Sequence, residues 1–404
     1  MESQKKQAIF IFTIVIALTG LGLGLSDTVF ANYFKDAYNV DALRRGWIEL
    51  PREAPGVICV LIISALAFLG DIRLSMIAQA LCAIGLIVLG FFTPPFNVML
   101  IFLFINSLGM HMFMPLSDSL GMSLAREGDF GTTMGRFHGI RAALSMIAGI
   151  LIFVGFRTGF FSFTTKIKSI FLVSAVMFVI VFVLLIYMRH FTSETVGQHK
   201  FRIIVRKEYG LFYLLAVLFG ARKQIMYVYA PWVLIDLMGF KADTMAILAV
   251  TGAAAGIFFM PLVGRWIDRY GTARVMIIEA SAFLFIYIAY GLLSASLSIG
   301  LIAAAGLYVG VAFTINMADR MTAQFGMVRS VYMRSIALDE DEVTPTLSAG
   351  LTLDHVLSIL SAILCGWLWD QLGPQYVFVF AAFLSVGNIA VALRIRNVNK
   401  LSMQ

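Results

Sequence analysis

The chain has 404 residues, 60% of them hydrophobic and 13% charged, with a formal net charge of +7. A mean hydropathy of +0.90 excludes a soluble domain and specifies an all-α polytopic membrane protein. In such a protein surplus Lys and Arg belong to the loops on one face of the bilayer, so the positive balance is no sign of nucleic-acid binding.

Twelve apolar segments of about 20 residues, the length a hydrocarbon core requires, succeed one another. They lie at 8–31, 46–69, 74–92, 98–119, 135–156, 169–188, 211–237, 245–267, 273–293, 299–318, 347–369 and 377–393. The first follows Lys5 and Lys6, continues too long for a signal peptide and lacks an Ala-x-Ala exit, so it reads as a retained span. Gly20, Gly22 and Gly24 loosen span one, while Pro51 and Pro55, Pro115 and Pro231 bend spans two, four and seven and supply flexing points. The run from Gly252 to Gly256 reads as a close-packing surface. The longest polar connection, 189–209, divides the chain into an N-terminal six-helix bundle (1–188), a cytoplasmic central loop (189–208) and a C-terminal six-helix bundle (209–404). With the N-terminus inside, seventeen loop cations fall on the inner face against seven on the outer, which places both termini in the cytoplasm. Arg329 is counted inside; Arg45, Lys168 and Lys241 outside. Cys59, Cys82 and Cys365 stand singly in apolar runs, with no disulfide framework and no metal-ligand spacing.

Span seven carries the strongest anomaly. Phe219-Gly220-Ala221-Arg222-Lys223-Gln224 puts two adjacent cations near the middle of an apolar segment. A cation at that depth costs about 2.5–3.5 kcal/mol, so each needs a partner, water or a substrate. Adjacent residues differ by about 100° around a helix, so the two cannot face one ligand equally. One is expected to face a cavity and the other to pair with an acid, Asp354 being nearest in depth.

An internal repeat is visible at two offsets. At 200, Tyr33-Phe34-Lys35-Asp36 falls on Val233-Leu234-Ile235-Asp236, Ala42 on Ala242 and Gly56 on Gly256. At 213, Leu144-Ser145 falls on Leu357-Ser358 and Arg141 on Asp354. Two six-span halves related by a parallel repeat are a transporter design, with substrate bound at the midplane.

After span eight, Gly264-Arg265-Trp266-Ile267-Asp268-Arg269-Tyr270-Gly271-Thr272-Ala273-Arg274 resembles the loop signature of the major facilitator superfamily, Gly-x-x-x-Asp-Arg-x-Gly followed by basic residues. On this reading Gly264 permits close helix approach, Asp268 caps or bridges, Gly271 turns the chain, and Arg269 and Arg274 anchor to the cytoplasmic face. The loop after span two, Gly70-Asp71-Ile72-Arg73, keeps an acid and a base but departs from the pattern by lacking the second glycine. Span five lacks the Gly-Pro pair of drug antiporters. The resemblance implies two pseudo-symmetric six-helix bundles with spans one, four, seven and ten lining a central cavity.

Within that frame the candidate substrate-binding residues are Arg222, Lys223, Arg141, His111, Tyr227 and Asn316. Ser107, His111, Met114 and Asp118 share one face of span four, and His138, Arg141 and Ser145 one face of span five. Span ten offers Asn316, Asp319 and Arg320. The candidates for proton coupling or gating are Asp354 and His355, with Asp27, Glu49, Arg52 and Glu53 near the outer surface. Arg222 and Lys223 either bind an anionic group or form structural salt bridges. No zinc motif, phosphate loop or nucleophile-base set points to an enzyme. The expected function is secondary active transport of a small organic anion by alternating access, coupled to protons or by exchange, in a monomer in the cell membrane without cofactor or metal. The alternatives are proton-driven efflux of amphipathic or cationic drugs and a non-transporting membrane sensor.

Overall fold

Helices occupy all twelve expected spans in the computed structural model, which describes residues 2–124, 130–191 and 206–401. The first six are α1 (Glu2–Asp27), α3 (Ala42–Ala65), α4 (Asp71–Phe91), α5 (Phe96–Leu124), α6 (Phe130–Arg157) and α7 (Ser169–Met188), with a short α2 (Phe30–Tyr38) after α1. The second six are α8 (Gly210–Gln224), α10 (Ala242–Tyr270), α11 (Thr272–Ser298), α12 (Leu307–Thr322), α14 (Glu340–Gln371) and α15 (Pro374–Leu401). Among the described residues ten helical stretches are long and apolar enough to cross a membrane. The helices of spans two and ten are not among them: α3 carries Glu49, Arg52 and Glu53 in its apolar part, and α12 has only 16 residues. Most of the expected central loop, 192–205, lies outside the described residues, as does Arg126.

Span ten departs from expectation. Residues 299–306 are apolar enough to read as helix, but Gly300 and Gly306 take positive φ (69° and 59°) and hold that stretch irregular. The helix starts at Leu307, tightens into a 3₁₀ turn at Ala323–Gly326 and resumes as α13 (Met327–Ile336). Arg329 is therefore no loop cation; its side chain is 16% exposed inside the fold. Arg45 is likewise buried, paired with Glu49 one turn along α3. Lys168, also expected in an outer loop, is buried at the head of α7, where its Nζ donates to Thr93 Oγ1 at 2.9 Å and to the Thr165 carbonyl.

Span seven is not a uniform helix either. Beyond α8 it forms a π-helical turn at Ile225–Tyr229, three α-helical residues, α9 (Ala230–Trp232), and a second π turn at Val233–Leu237. Pro231 lacks an N–H, and the widened turns on either side absorb the break in the ladder, an arrangement common at functional sites.

The chain forms two compact units. One comprises Met1–Asn39, Pro51–Phe201 and Lys241–Val250, the other Val40–Leu50, Arg202–Phe240 and Thr251–Gln404. The first residues of α3 thus group with the second unit, and those of α10 with the first. In the second unit Gly366 of α14 sits so close to α3 that a Cβ there would lie 2.8 Å from the Ala42 carbonyl oxygen and 3.0 Å from Tyr229 Oη. In the first, Lys241 pairs with Asp36 at 2.8 Å.

The repeat seen in the sequence has a physical counterpart within each unit. A Cβ on Gly20 would lie 2.6 Å from the Arg141 carbonyl oxygen, and one on Gly220 would lie 2.5 Å from that of Asp354. Gly20 and Gly220 differ by 200 residues and Arg141 and Asp354 by 213, the two offsets already found. Each unit thus packs its first long helix onto the same partner through a glycine with backbone in contact.

The loop copies also match. Gly70 (φ 79°, ψ 159°) and Gly271 (φ 80°, ψ 158°) take the same left-handed-side conformation at the same helix junction. Gly70 is therefore the counterpart of the signature's second glycine, and Arg73 that of Arg274. What the first copy lacks is the acid-base pair, since Ala67 and Phe68 stand where Asp268 and Arg269 do. A second reading needs correction at Gly264, where a Cβ would meet nothing within 4 Å, so close helix approach does not explain that glycine here.

Candidate functional site

The two adjacent cations of α8 point to different helices, as their angular separation requires. Arg222 is 2% exposed, and its Nη2 donates to Glu279 Oε1 on α11 at 2.8 Å. Its guanidinium carbon lies 3.8 Å from the centroid of the Phe283 ring, one helical turn beyond Glu279. Arg329, from α13, donates to the same Glu279 oxygen at 3.4 Å and sits 3.4 Å above the Phe219 ring. One carboxylate thus serves two guanidinium groups, each resting on an aromatic face that favours a cation.

Lys223 takes the other direction. Its Nζ lies 3.7 Å from Asp354 Oδ2 on α14. Ser358 Oγ donates to the Gly220 carbonyl at 3.1 Å and lies 3.2 Å from Asp354 Oδ1, and Ser361 Oγ donates to the Ala221 carbonyl at 2.5 Å. These serines recur at i and i+3 on α14, on the face that the glycine contact presses onto α8, and they hold the pair in register. His355 is buried beside Asp354. Tyr227, in the first π turn, is 60% exposed and lies within electrostatic reach of Lys223, Asp319, Arg320 and Arg329.

Span ten closes the cluster. Asn316 Nδ2 donates to Tyr290 Oη at 3.3 Å, and Arg320 Nε donates to Asn316 Oδ1 at 2.9 Å. The Arg320 side chain crosses α10 at Gly252, where a Cβ would lie 2.5 Å from its Cδ. Asp319 is 2% exposed, and its Oδ1 has no hydrogen-bond partner among the described residues.

The candidates of the first unit include two hydrogen-bonded groups. Arg141 Nη2 donates to His138 Nδ1 at 2.7 Å, which leaves His138 Nε2 facing Asp118 Oδ1 at 3.7 Å. His111 donates through Nδ1 to the Ser107 carbonyl at 2.9 Å, and Ser107 Oγ donates to the Arg52 carbonyl at 2.5 Å. Asp27 is exposed at the end of α1, whereas Arg52 and Glu53 are half-buried on α3. Glu49 groups with the second unit and is 1% exposed against Arg45. Asp268, Arg269, Gly271 and Arg274 are exposed at the α10–α11 junction.

Glu279 and Arg329 were missed by sequence reasoning, and Asp319 was given no role. A signal existed for Glu279, the lone acid in the apolar part of span nine. Arg329 was hidden by the misplaced span ten.

Comparison with known proteins bears on the fold that carries this cluster. The model of the Major Facilitator Superfamily matches residues 12–336. The chain belongs to that superfamily. Major facilitator proteins are membrane transporters rather than enzymes, and their substrates are small molecules. Among solved structures of the same fold are a nucleoside transporter, NupG in its D323A form, at 16% identity with a TM-score of 0.76, aligned over 96% of this chain and 99% of the other. An auto-inhibited POT family peptide transporter aligns at 13% identity over 96% of this chain and 97% of the other, with a TM-score of 0.74. A D-xylose–proton symporter aligns at 14% over 95% of each chain, with a TM-score of 0.68. At such identities the likeness concerns the fold alone. No curated protein matches the chain in sequence.

Proposed function

We propose that this major facilitator protein is a secondary active transporter that moves a small organic anion by alternating access, coupled to protons or by exchange. The observation that carries this reading is the sharing of Glu279 by Arg222 and Arg329. The cluster within the second unit holds four cations, Arg222, Lys223, Arg320 and Arg329, and three acids, Glu279, Asp319 and Asp354, so the described residues that compose it carry an excess of cations. An anionic group on the cargo suits such a cluster through charge-assisted hydrogen bonds. Arg222 is 3% exposed by its side chain, while Lys223 and Arg329 are each at 16%. Lys223 and Arg329 therefore meet the cargo, and Arg222 positions Glu279 from behind.

Titratable residues for coupling are at hand in Asp354 and His355 beside Lys223, and in Asp319, which is buried with Oδ1 lacking a hydrogen-bond partner among the described residues. The solved structures of this fold include transporters of nucleosides, peptides and D-xylose, all small polar solutes. The reading carries with it a monomer in the cell membrane, both termini cytoplasmic, whose two moving bodies are the halves 1–188 and 209–404. Efflux of cationic drugs, for which Asp27, Glu49 and Glu53 would be the attracting acids, draws less support, because Glu49 is paired with Arg45.

The test is a thermal-shift screen of the purified protein against carboxylates and phosphorylated metabolites, followed by uptake of the stabilising compound into proteoliposomes. Lys223→Ala and Arg329→Ala are expected to raise its KM at least tenfold. Anion uptake undiminished in both variants overturns the reading.

A further inference from the structure

One cavity belongs to no part of the transport cluster. It is a groove of roughly 430 Å³ in the first unit, between the first half of α4 and the second half of α7. Its walls are apolar, with Met76, Ile77, Ala80 and Leu81 from α4 and Phe182 from α7. The helices run antiparallel, so the first turn of α4 and the residue just past α7 lie at the same end. Arg73 and Arg189 stand there, both exposed and both lining the groove.

From this arrangement we infer that the groove is a binding site for one anionic phospholipid, its phosphodiester held by Arg73 and Arg189 and an acyl chain laid along Ile77, Leu81 and Phe182. Two lines of chemistry point to the same occupant. The apolar length suits hydrocarbon and nothing polar, since its lining offers no hydrogen-bond partner away from the arginines. Two guanidinium groups at one end of a hydrocarbon-lined slot match a headgroup that is both anionic and attached to a chain, and basic pockets between spanning helices select such lipids. The volume lies within the range of ordinary small-molecule sites. A soluble phosphate would satisfy the arginines but leave the apolar length unused.

Native mass spectrometry of the detergent-purified chain, titrated with phosphatidylglycerol or phosphatidylcholine of the same acyl chains, tests the site. One equivalent of phosphatidylglycerol is expected to bind about tenfold more tightly than phosphatidylcholine, and R73Q/R189Q to reduce it to the phosphatidylcholine level while Arg394→Gln leaves it unchanged. Ala80→Trp keeps both arginines and fills the groove; it is expected to lose the bound lipid, and it preserves the test if the double variant does not fold. Glycerol phosphate is expected not to compete at millimolar concentration. Equal retention of the two lipids, retention undiminished in R73Q/R189Q or Ala80→Trp, or full competition by glycerol phosphate overturns the proposal.

Discussion

At Glu279 the energetics of the cluster turn on a single carboxylate. Removing one partner from a buried ion pair costs about 3–5 kcal/mol, because the charge left behind stays desolvated. Glu279→Gln leaves two guanidinium groups around a neutral amide, so it is expected to destabilise the protein by about that amount, measured by denaturant titration in detergent. The loss should shrink in E279Q/R329Q, where only Arg222 remains, still resting on Phe283. Equal losses in the single and double variants would show that Arg329 makes no use of the carboxylate. Lys223, 16% exposed and 3.7 Å from the buried Asp354, is held less tightly. Arg222 and Lys223 stood out in the sequence because an apolar span makes every charge visible. Arg329 did not, because its neighbours in the chain are polar enough to read as loop.

Helix pairs in this protein are set by a few glycines whose roles only contact geometry distinguishes. Gly220 and Gly264 look alike in sequence, each mid-helix and each costing roughly 1 kcal/mol of helix propensity relative to Ala. A Cβ on Gly220 would press on the Asp354 backbone at 2.5 Å, whereas one on Gly264 would enter open space. Gly220→Ala is therefore expected to destabilise by about 1–3 kcal/mol, since backbone must shift to admit it. Gly264→Ala is expected to stabilise by about 0.4–1 kcal/mol. Thermal melts of the two variants decide it, and the same sign in both would refute the distinction. Pro231 was legible as a bend, but its form, two π turns around three residues, follows from how the neighbouring helices hold the chain on either side.

For the whole transporter, the proposed proton coupling is assigned to the cluster as a unit rather than to one pair. Asp319 adjoins Arg320 in the chain and lies within electrostatic reach of it, of Arg222 on α8, of Tyr287 and Tyr290 on α11 and of Tyr227 in the π turn. Asp319→Asn keeps the shape and removes the titratable charge. It is expected to retain exchange of internal for external substrate in proteoliposomes while losing accumulation driven by a pH gradient. Accumulation at the level of the unsubstituted protein would assign coupling elsewhere, with Asp354 and His355 next in line.

Hydropathy determined the class of this protein and, span ten apart, the approximate positions of its spans, because a bilayer imposes a length and a polarity on its crossings. The repeat, weak as a set of identities, was also legible, since the same glycine contact had to be built twice. The loop signature resembled the family's and pointed to Gly271, whose φ is 80°, as the glycine that turns the chain, but not to the open surroundings of Gly264. Only the tertiary structure decided which acid answers which base. Glu279 is 57 residues from Arg222 and 50 from Arg329, and nothing in local spacing records a partner that far away. It also decided where span ten begins, because Gly300 and Gly306 override an apolar composition through backbone conformation. The two cations of α8 were conspicuous from the start; that a third cation shares the carboxylate of one of them emerged only when α11 and α13 were brought against α8.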